Sequence, residues 1–194
     1  MYIETIVPYE PEKKLGYAIK RAFKKVEDWA LVLDHDVFVS LNPLWYEICM
    51  NAISKMWYQA GWIACSTNQI GCPLQKADYN FEIENYNYSK KYDTNDMTNH
   101  FEIAEKIYKE RKGQIKDITE QAKKHPLSGF FILTHKQTFD EVMSKFDLSD
   151  NKFIGFDTWY CARLIDLGYK IYIMRDLYVY HGYKRLWKNK EWGK

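Results

Sequence analysis

The spacing of apolar residues changes period several times along the chain. Ile3 to Val7 alternates and reads as a short strand, closed by Pro8-Tyr9-Glu10-Pro11 because proline cannot extend a ladder. From Leu15 the apolar positions Leu15, Ala18, Ile19, Ala22, Phe23 and Val26 recur at helical steps. Lys20, Arg21, Lys24 and Lys25 take the other face, which predicts a helix lying one side on a sheet. Ala30-Leu31-Val32-Leu33 then runs unbroken, the pattern of a buried strand, and stops at Asp34-His35-Asp36. Strand, helix, strand is the unit that builds a parallel sheet by right-handed crossover. It leaves Asp34 and Asp36 at the carboxyl end of a strand, where open α/β sheets bind ligands.

Further along, "PLWYEICMNAISKMWYQA" from Pro43 to Ala60 predicts a helix with Pro43 in its first turn and Gly61 just past its end. "GWIACST" predicts a third strand. Residues 71 to 97 lack a period and read as a long loop, and Ile103, Ile107, Ile115, Ile118 and Ala122 lie on one helical stripe between Met97 and Lys124 that Gly113 can break. Phe130 to Thr134 predicts a strand followed by a short helix. "GFDTWYCARLIDLGYKIYIM" predicts a helix ending at Gly168 with a strand behind it, and Asp176 to His181 a last short strand. The expected fold is one α/β domain over residues 1–194, a Rossmann-like, mainly parallel sheet flanked by helices, with an irregular or helical insertion at about 72–125.

Composition narrows the classes. With 46% hydrophobic and 17% aromatic residues the chain has the material for a core. A net charge of +2 argues against a nucleic-acid partner, since only "HGYKRLWKNKEWGK" is locally basic. Cys49, Cys65, Cys72 and Cys161 form no C-x-x-C pair, so reduced thiols in a cytoplasmic protein are expected. The start "MYIETIVPYEPEKK" lacks the features of a signal peptide, and no apolar run approaches a membrane span.

The candidate chemistry lies at strand and helix ends. Paired carboxylates two residues apart repel unless a cation lies between them, and hard oxygen ligands suit Mg²⁺ or Mn²⁺; a turn held by Asx hydrogen bonds is the plainer alternative. Asp157 opens a helix, where free N–H groups favour the anion, and serves either as a cap or as a general base. His181 ends the last strand and is either a hydrogen-bonded structural residue or a ligand.

Taken in order, these blocks resemble the glycosyltransferases of the GT-A fold, especially family 2 and its shorter bacterial and phage relatives. The matching residues are "LGYAIKRAF", Asp28-Trp29, Asp34-His35-Asp36, "SGFFILTHKQTFDEV" and "KFDLSDNKFIGFDTWYCARLIDLGYKIYIMRDLYVYH", leaving out roughly residues 72 to 125. The resemblance implies a metal-dependent, inverting transfer of a sugar from a UDP- or GDP-linked donor to an acceptor hydroxyl, with Mn²⁺ or Mg²⁺ as cofactor. It implies Asp36, His181 and Asp34 at the metal, and Asp157 as the base. Pro8, Tyr9, Glu10, Gly16, Lys20, Asp34 and Lys184 would hold the donor, and Gly129 and Phe130 the acceptor side. From their places at strand and helix ends, Asn68 and Gln69 are either sugar ligands or a polar turn, and Trp159 joins the acceptor or sugar side. Three departures stand out: the nucleotide-binding half is short, Lys20 stands where many relatives have Asn, and Phe156 stands where the family motif has Glu. A non-catalytic nucleotide-sugar or glycan binding module and a metal-dependent nucleotide-sugar hydrolase are the alternatives.

Overall fold

The computed structural model describes residues 1–9, 14–86, 92–151 and 155–182. Its centre is a seven-stranded sheet. The strands are β1 (Ile3–Ile6), β2 (Trp29–Leu33), β3 (Val37–Phe38), β4 (Ala60–Thr67), β7 (Ile115–Asp117), β8 (Phe131–His135) and β9 (Lys170–His181). A separate two-stranded hairpin comprises β5 (Tyr79–Asn80) and β6 (Asn85–Tyr86). The spatial order is β1-β2-β8-β4-β9-β3, with β7 also on β9. β1, β2, β4 and β9 point one way, while β8, β3 and β7 run against them, so the sheet is mixed and mainly parallel.

Helices cover both faces: α1 (Leu15–Phe23), α2 (Trp45–Met56), α3 (Met97–Arg111), α4 (Thr119–Lys124), α5 (Lys136–Lys145) and α6 (Phe156–Asp166). β2 explains its own unbroken apolar run, because successive side chains on a strand face opposite sides. Ala30 and Val32 pack with Ile19 and Phe23 of α1, Phe139 and Val142 of α5, and Trp159, Tyr160 and Leu164 of α6. Trp29, Leu31 and Leu33 pack on the opposite face with Ile48, Cys49, Ala52 and Ile53 of α2. At about 25 cal/mol per Å² of apolar area, burial on two faces makes this strand one of the strongest anchors of the sheet.

The expected crossover is present: β1 pairs in parallel with β2, Ile3 opposite Trp29, with α1 between them in sequence. Three expectations are corrected. The stripe from Met97 to Lys124 is two helices, because Gly113 takes φ +73°, a backbone conformation open to glycine, and strand β7 intervenes, so Ile115 lies in a strand. Residues 71 to 97 are not all loop: Pro73–Gln75 forms a 3₁₀ turn and the β5–β6 hairpin follows. The last two strands are one, β9, in which Cys65 of β4 pairs with Met174 but Ser66 with Tyr178. That bulge carries Asp176, buried, whose Oδ2 accepts the Gly113 N–H at 2.7 Å.

At one end of the sheet the carboxyl ends of β1, β2, β4 and β9 meet the start of β8 and the first turns of α1 and α6. The candidate residues collect there.

Candidate metal centre and adjoining cleft

The chain leaves β2 through a tight turn. Asp34 N–H donates to Phe130 O at 3.1 Å, and Val37 N–H closes the turn on Asp34 O at 3.2 Å. The turn sends β3 back antiparallel to β9, with Val37 opposite His181. Gly182 N–H donates to Asp36 O at 2.9 Å, which ties the end of β9 to the aspartate turn. A Cβ on Gly182 would come within 3.1 Å of Asp36 Oδ2 and 3.2 Å of its Cβ, so a side chain there would press on the aspartate. His35 sits exposed between the two aspartates.

His181 is 4% exposed and stacks on Phe130, ring centroids 5.2 Å apart at 17°. Its Nδ1 lies 3.1 Å from Gln69 O, a carbonyl that can only accept, so Nδ1 carries a proton. Its Nε2 faces Asp36 Oδ1 at 3.4 Å and Asp34 Oδ2 at 3.8 Å. One ligand atom from each of Asp34, Asp36 and His181 lies within 4.8 Å of the others. Burial pushes the Asp34 carboxyl up; His181 opposes this, while the charges of Asp36 and Asp157 add to it. Asp36 is also buried, but the hydrogen bond and charge of His181 outweigh that and hold its carboxyl below the usual range. The two carboxyls therefore part, Asp34 raised chiefly by burial and Asp36 lowered chiefly by His181. Two carboxylate oxygens and one imidazole nitrogen so close together fit a divalent cation such as Mn²⁺.

Asp157 approaches from the other side, in the first turn of α6. Its Oδ2 accepts Gly129 N–H at 2.9 Å and its Oδ1 accepts Thr158 N–H at 2.8 Å. Two glycines make room for it: a Cβ on Gly155 would fall 2.5 Å from Asp157 Oδ1, and one on Gly129 would fall 2.9 Å from Asp157 Cβ. The Gly129 segment is itself clamped, since Gln75 Nε2 donates to Ser128 O at 3.0 Å and Ser128 N–H donates to Gln75 Oε1 at 2.8 Å.

Two cavities meet at this point. One, about 410 Å³, is lined by Asp34, Asp36, His181, Phe130 and Asp157. The other, about 420 Å³, opens between α1 and α6, with Ile19, Val32 and Ile132 as an apolar floor and Pro8, Lys14 and Tyr17 around it. Asp34, Gly129 and Asp157 line both. Gly16 also lines the second cavity, where a Cβ would strike Phe156 Cδ2 at 2.7 Å.

Of the residues expected here, Asp34, Asp36, His181, Asp157, Pro8, Gly16, Gly129 and Phe130 come together. Tyr9 is exposed beside Pro8, and Lys20 is exposed on α1 away from the lining of either cavity. Trp159 is 2% exposed and belongs to the core under α6, so it presents nothing to a sugar. Asn68 is buried behind His181 rather than on the acceptor side. Glu10 and Lys184 lie outside the described residues. Gln69 meets His181 through its carbonyl, and Lys14 and Tyr17 line the cleft; the only signal for these two in the chain is proximity to a helix start.

Nothing matches the chain among protein-family models, curated proteins or solved structures. Among the described residues, no helix is long and apolar enough to cross a membrane.

Proposed function

We propose that the protein is a metal-dependent glycosyltransferase of the GT-A type, similar to family 2, that moves a sugar with inversion from a nucleotide-sugar donor to an acceptor hydroxyl. The observation that carries this reading is the joining of two cavities at Asp34, Gly129 and Asp157, with a metal-ligand cluster on one side and a carboxylate held by N–H groups on the other.

Asp34, Asp36 and His181 would hold Mn²⁺ or Mg²⁺, which when bound neutralises the diphosphate and stabilises it as it leaves. The cleft between α1 and α6 would receive the nucleoside against its apolar floor, with Lys14 and Tyr17 at its rim. Asp157 would take the proton of the acceptor hydroxyl as that oxygen attacks the anomeric carbon. The N–H groups of Gly129 and Thr158 fix both of its oxygens, so the carboxylate keeps one orientation while its remaining lone pairs stay available.

Calorimetric titration of UDP and GDP with Mn²⁺, and again with chelator, tests the reading. Binding that requires the cation supports it, and equal affinity in both conditions removes the metal from the site. Incubation with UDP- and GDP-sugars then separates the chemistries. Slow metal-dependent release of nucleoside diphosphate marks a transferase using water as a poor acceptor. Release of nucleoside monophosphate and sugar phosphate marks a hydrolase, and binding without turnover marks a binding module.

A further inference from the structure

The end of β4 carries a device that the metal reading does not by itself require. Backbone pairing between β4 and β9 stops at Thr67 opposite Val179, two residues short of His181. Beyond it the side chain of Asn68 takes over the work of a strand. Its Oδ1 accepts His181 N–H at 2.7 Å and its Nδ2 donates to His181 O at 3.1 Å, so one carboxamide pairs with both backbone groups of one residue. Thr67 Oγ1 donates to the same Oδ1 at 3.0 Å and fixes which end of the amide faces which partner. Asn68 is 3% exposed, and its amide is aimed at His181, not at either cavity.

The consequence is chemical. The next residue, Gln69, offers its carbonyl to His181 Nδ1 at 3.1 Å. A carbonyl cannot donate, so the contact holds the proton on Nδ1 and leaves Nε2 as the nitrogen that faces Asp34 and Asp36. The contact survives only while the turn after β4 and the end of β9 keep their spacing, and the Asn68 clamp sets that spacing.

Resting on the metal-centre reading above, we propose that Asn68 is a positioning residue: its carboxamide locks the end of β9 to the end of β4, and so fixes the ring orientation and tautomer with which His181 meets a divalent cation. Outer partners of this kind typically change metal affinity by about 10–100-fold.

The test uses the full chain and Mn²⁺ alone. Free Mn²⁺ is followed by electron paramagnetic resonance during titration of wild type, Asn68→Ala and Asn68→Asp. In parallel, long-range ¹⁵N–¹H correlation on histidine-labelled, metal-free protein reads the tautomer of His181. Asn68→Asp keeps the size and the acceptor oxygen and removes the amide donor. Its added negative charge would on its own strengthen cation binding, so any weakening reports lost positioning. Wild type should bind Mn²⁺ with His181 protonated on Nδ1, and both variants should bind about 10–100-fold more weakly with the Nδ1–H tautomer no longer dominant. Val142→Ala, in the core under α5, serves as the stability control and should lower Tm without moving Mn²⁺ affinity. Unchanged affinity and tautomer in both Asn68 variants would overturn the inference, as would an equal loss of affinity in Val142→Ala. If wild type binds no Mn²⁺ while the tautomer still follows Asn68, the metal reading fails and the positioning role stands.

Discussion

Two aspartate–histidine pairs flank the strand β2, one before it and one after, and their protons run in opposite senses. Before the strand, His135 Nε2 lies 3.3 Å from Asp28 Oδ1. Its Nδ1 accepts the Gln137 N–H at 3.2 Å, so the ring proton sits on Nε2, the nitrogen turned toward the carboxylate. Asp28 Oδ2 accepts Tyr2 N–H at 3.1 Å, so both oxygens of this carboxylate meet a donor. After the strand, His181 lies at almost the same distance, 3.4 Å from Asp36 Oδ1, but its Nδ1 proton is committed to Gln69. There Nε2 faces two carboxylates at once, and a proton or a metal ion between them satisfies all three groups. An Asp–His contact is thus uninformative by its distance. The balance of donors and acceptors around it separates a structural latch from a cation site.

The largest expected effect belongs to the third acid. Asp157 has a backbone N–H on each oxygen and no place among the metal ligands, so Asp157→Asn should leave Mn²⁺ and donor affinity near the wild-type value while transfer falls on the order of 10²–10⁴-fold. Rate and affinity are measured separately once an active donor and acceptor pair is known, and full transfer activity in this variant would reduce Asp157 to a helix cap.

Next come the ligands themselves. Asp36→Asn and His181→Ala should each weaken Mn²⁺ binding by roughly 100-fold or more, because removing a direct ligand costs at least what an outer partner does. Asp28→Asn should leave Mn²⁺ affinity at the wild-type value in the same titration. Equal losses at both ends of β2 would break the distinction between them.

Asp28→Asn should instead act on stability. It weakens the hydrogen bond from Tyr2 N–H and the contact with His135, about 1 kcal/mol in net terms, which lowers Tm by about 2–4 °C for a chain of this size.

The smallest effect has the opposite sign. Burial raises the Asp34 carboxyl, with the neighbouring charges of Asp36 and Asp157 adding to it, so the folded metal-free protein holds that proton more tightly than the unfolded chain does. Ionised Asp34 therefore costs stability near neutral pH. That cost shrinks as pH falls through the raised folded value and is gone below the unfolded value of about 4. Asp34→Asn should raise Tm of the metal-free protein slightly at pH 7, the effect kept small by the partial exposure of Asp34, and should change nothing below a pH of about 4. With saturating Mn²⁺ the sign reverses, since wild type gains more from the bound ion. Thermal scans at the two pH values, with and without Mn²⁺, read all of these outcomes, and a Tm lowered at pH 7 without metal would show that Asp34 is a satisfied carboxylate like Asp28.

The strands and helices with strong periodicity were readable from the chain: β1, α1, β2, α2, β4 and α6 lie close to where their apolar spacing put them. Errors gathered where one pattern admits two structures. The stripe from Ile103 to Ala122 kept helical spacing across Gly113, yet the positive φ there turns the chain out of the helix and Ile115 enters the sheet against Met174. β9 was divided because Arg175 and Asp176 interrupt its apolar run, and the bulge that accommodates them is a property of pairing with β4, not of β9 alone. Trp159 and Asn68 were assigned to the sugar because aromatic and amide groups near a strand or helix end often serve that purpose. Which way each points depends on neighbours distant in sequence, the core under α6 for one and His181 for the other.

By itself the sequence determined that a buried strand ends on Asp34 and Asp36, that a carboxylate opens α6 and that a histidine closes β9, because these follow from local pattern and composition. Only the tertiary structure decided that they meet. β8 inserts antiparallel between β2 and β4, β9 lies on the far side of β4, and the three residues Asp34, Asp36 and His181 come within 4.8 Å across these strands. The proton on His181 was also beyond the sequence, because a tautomer is chosen by the acceptor that packing brings to the ring, here the carbonyl of a residue 112 positions away.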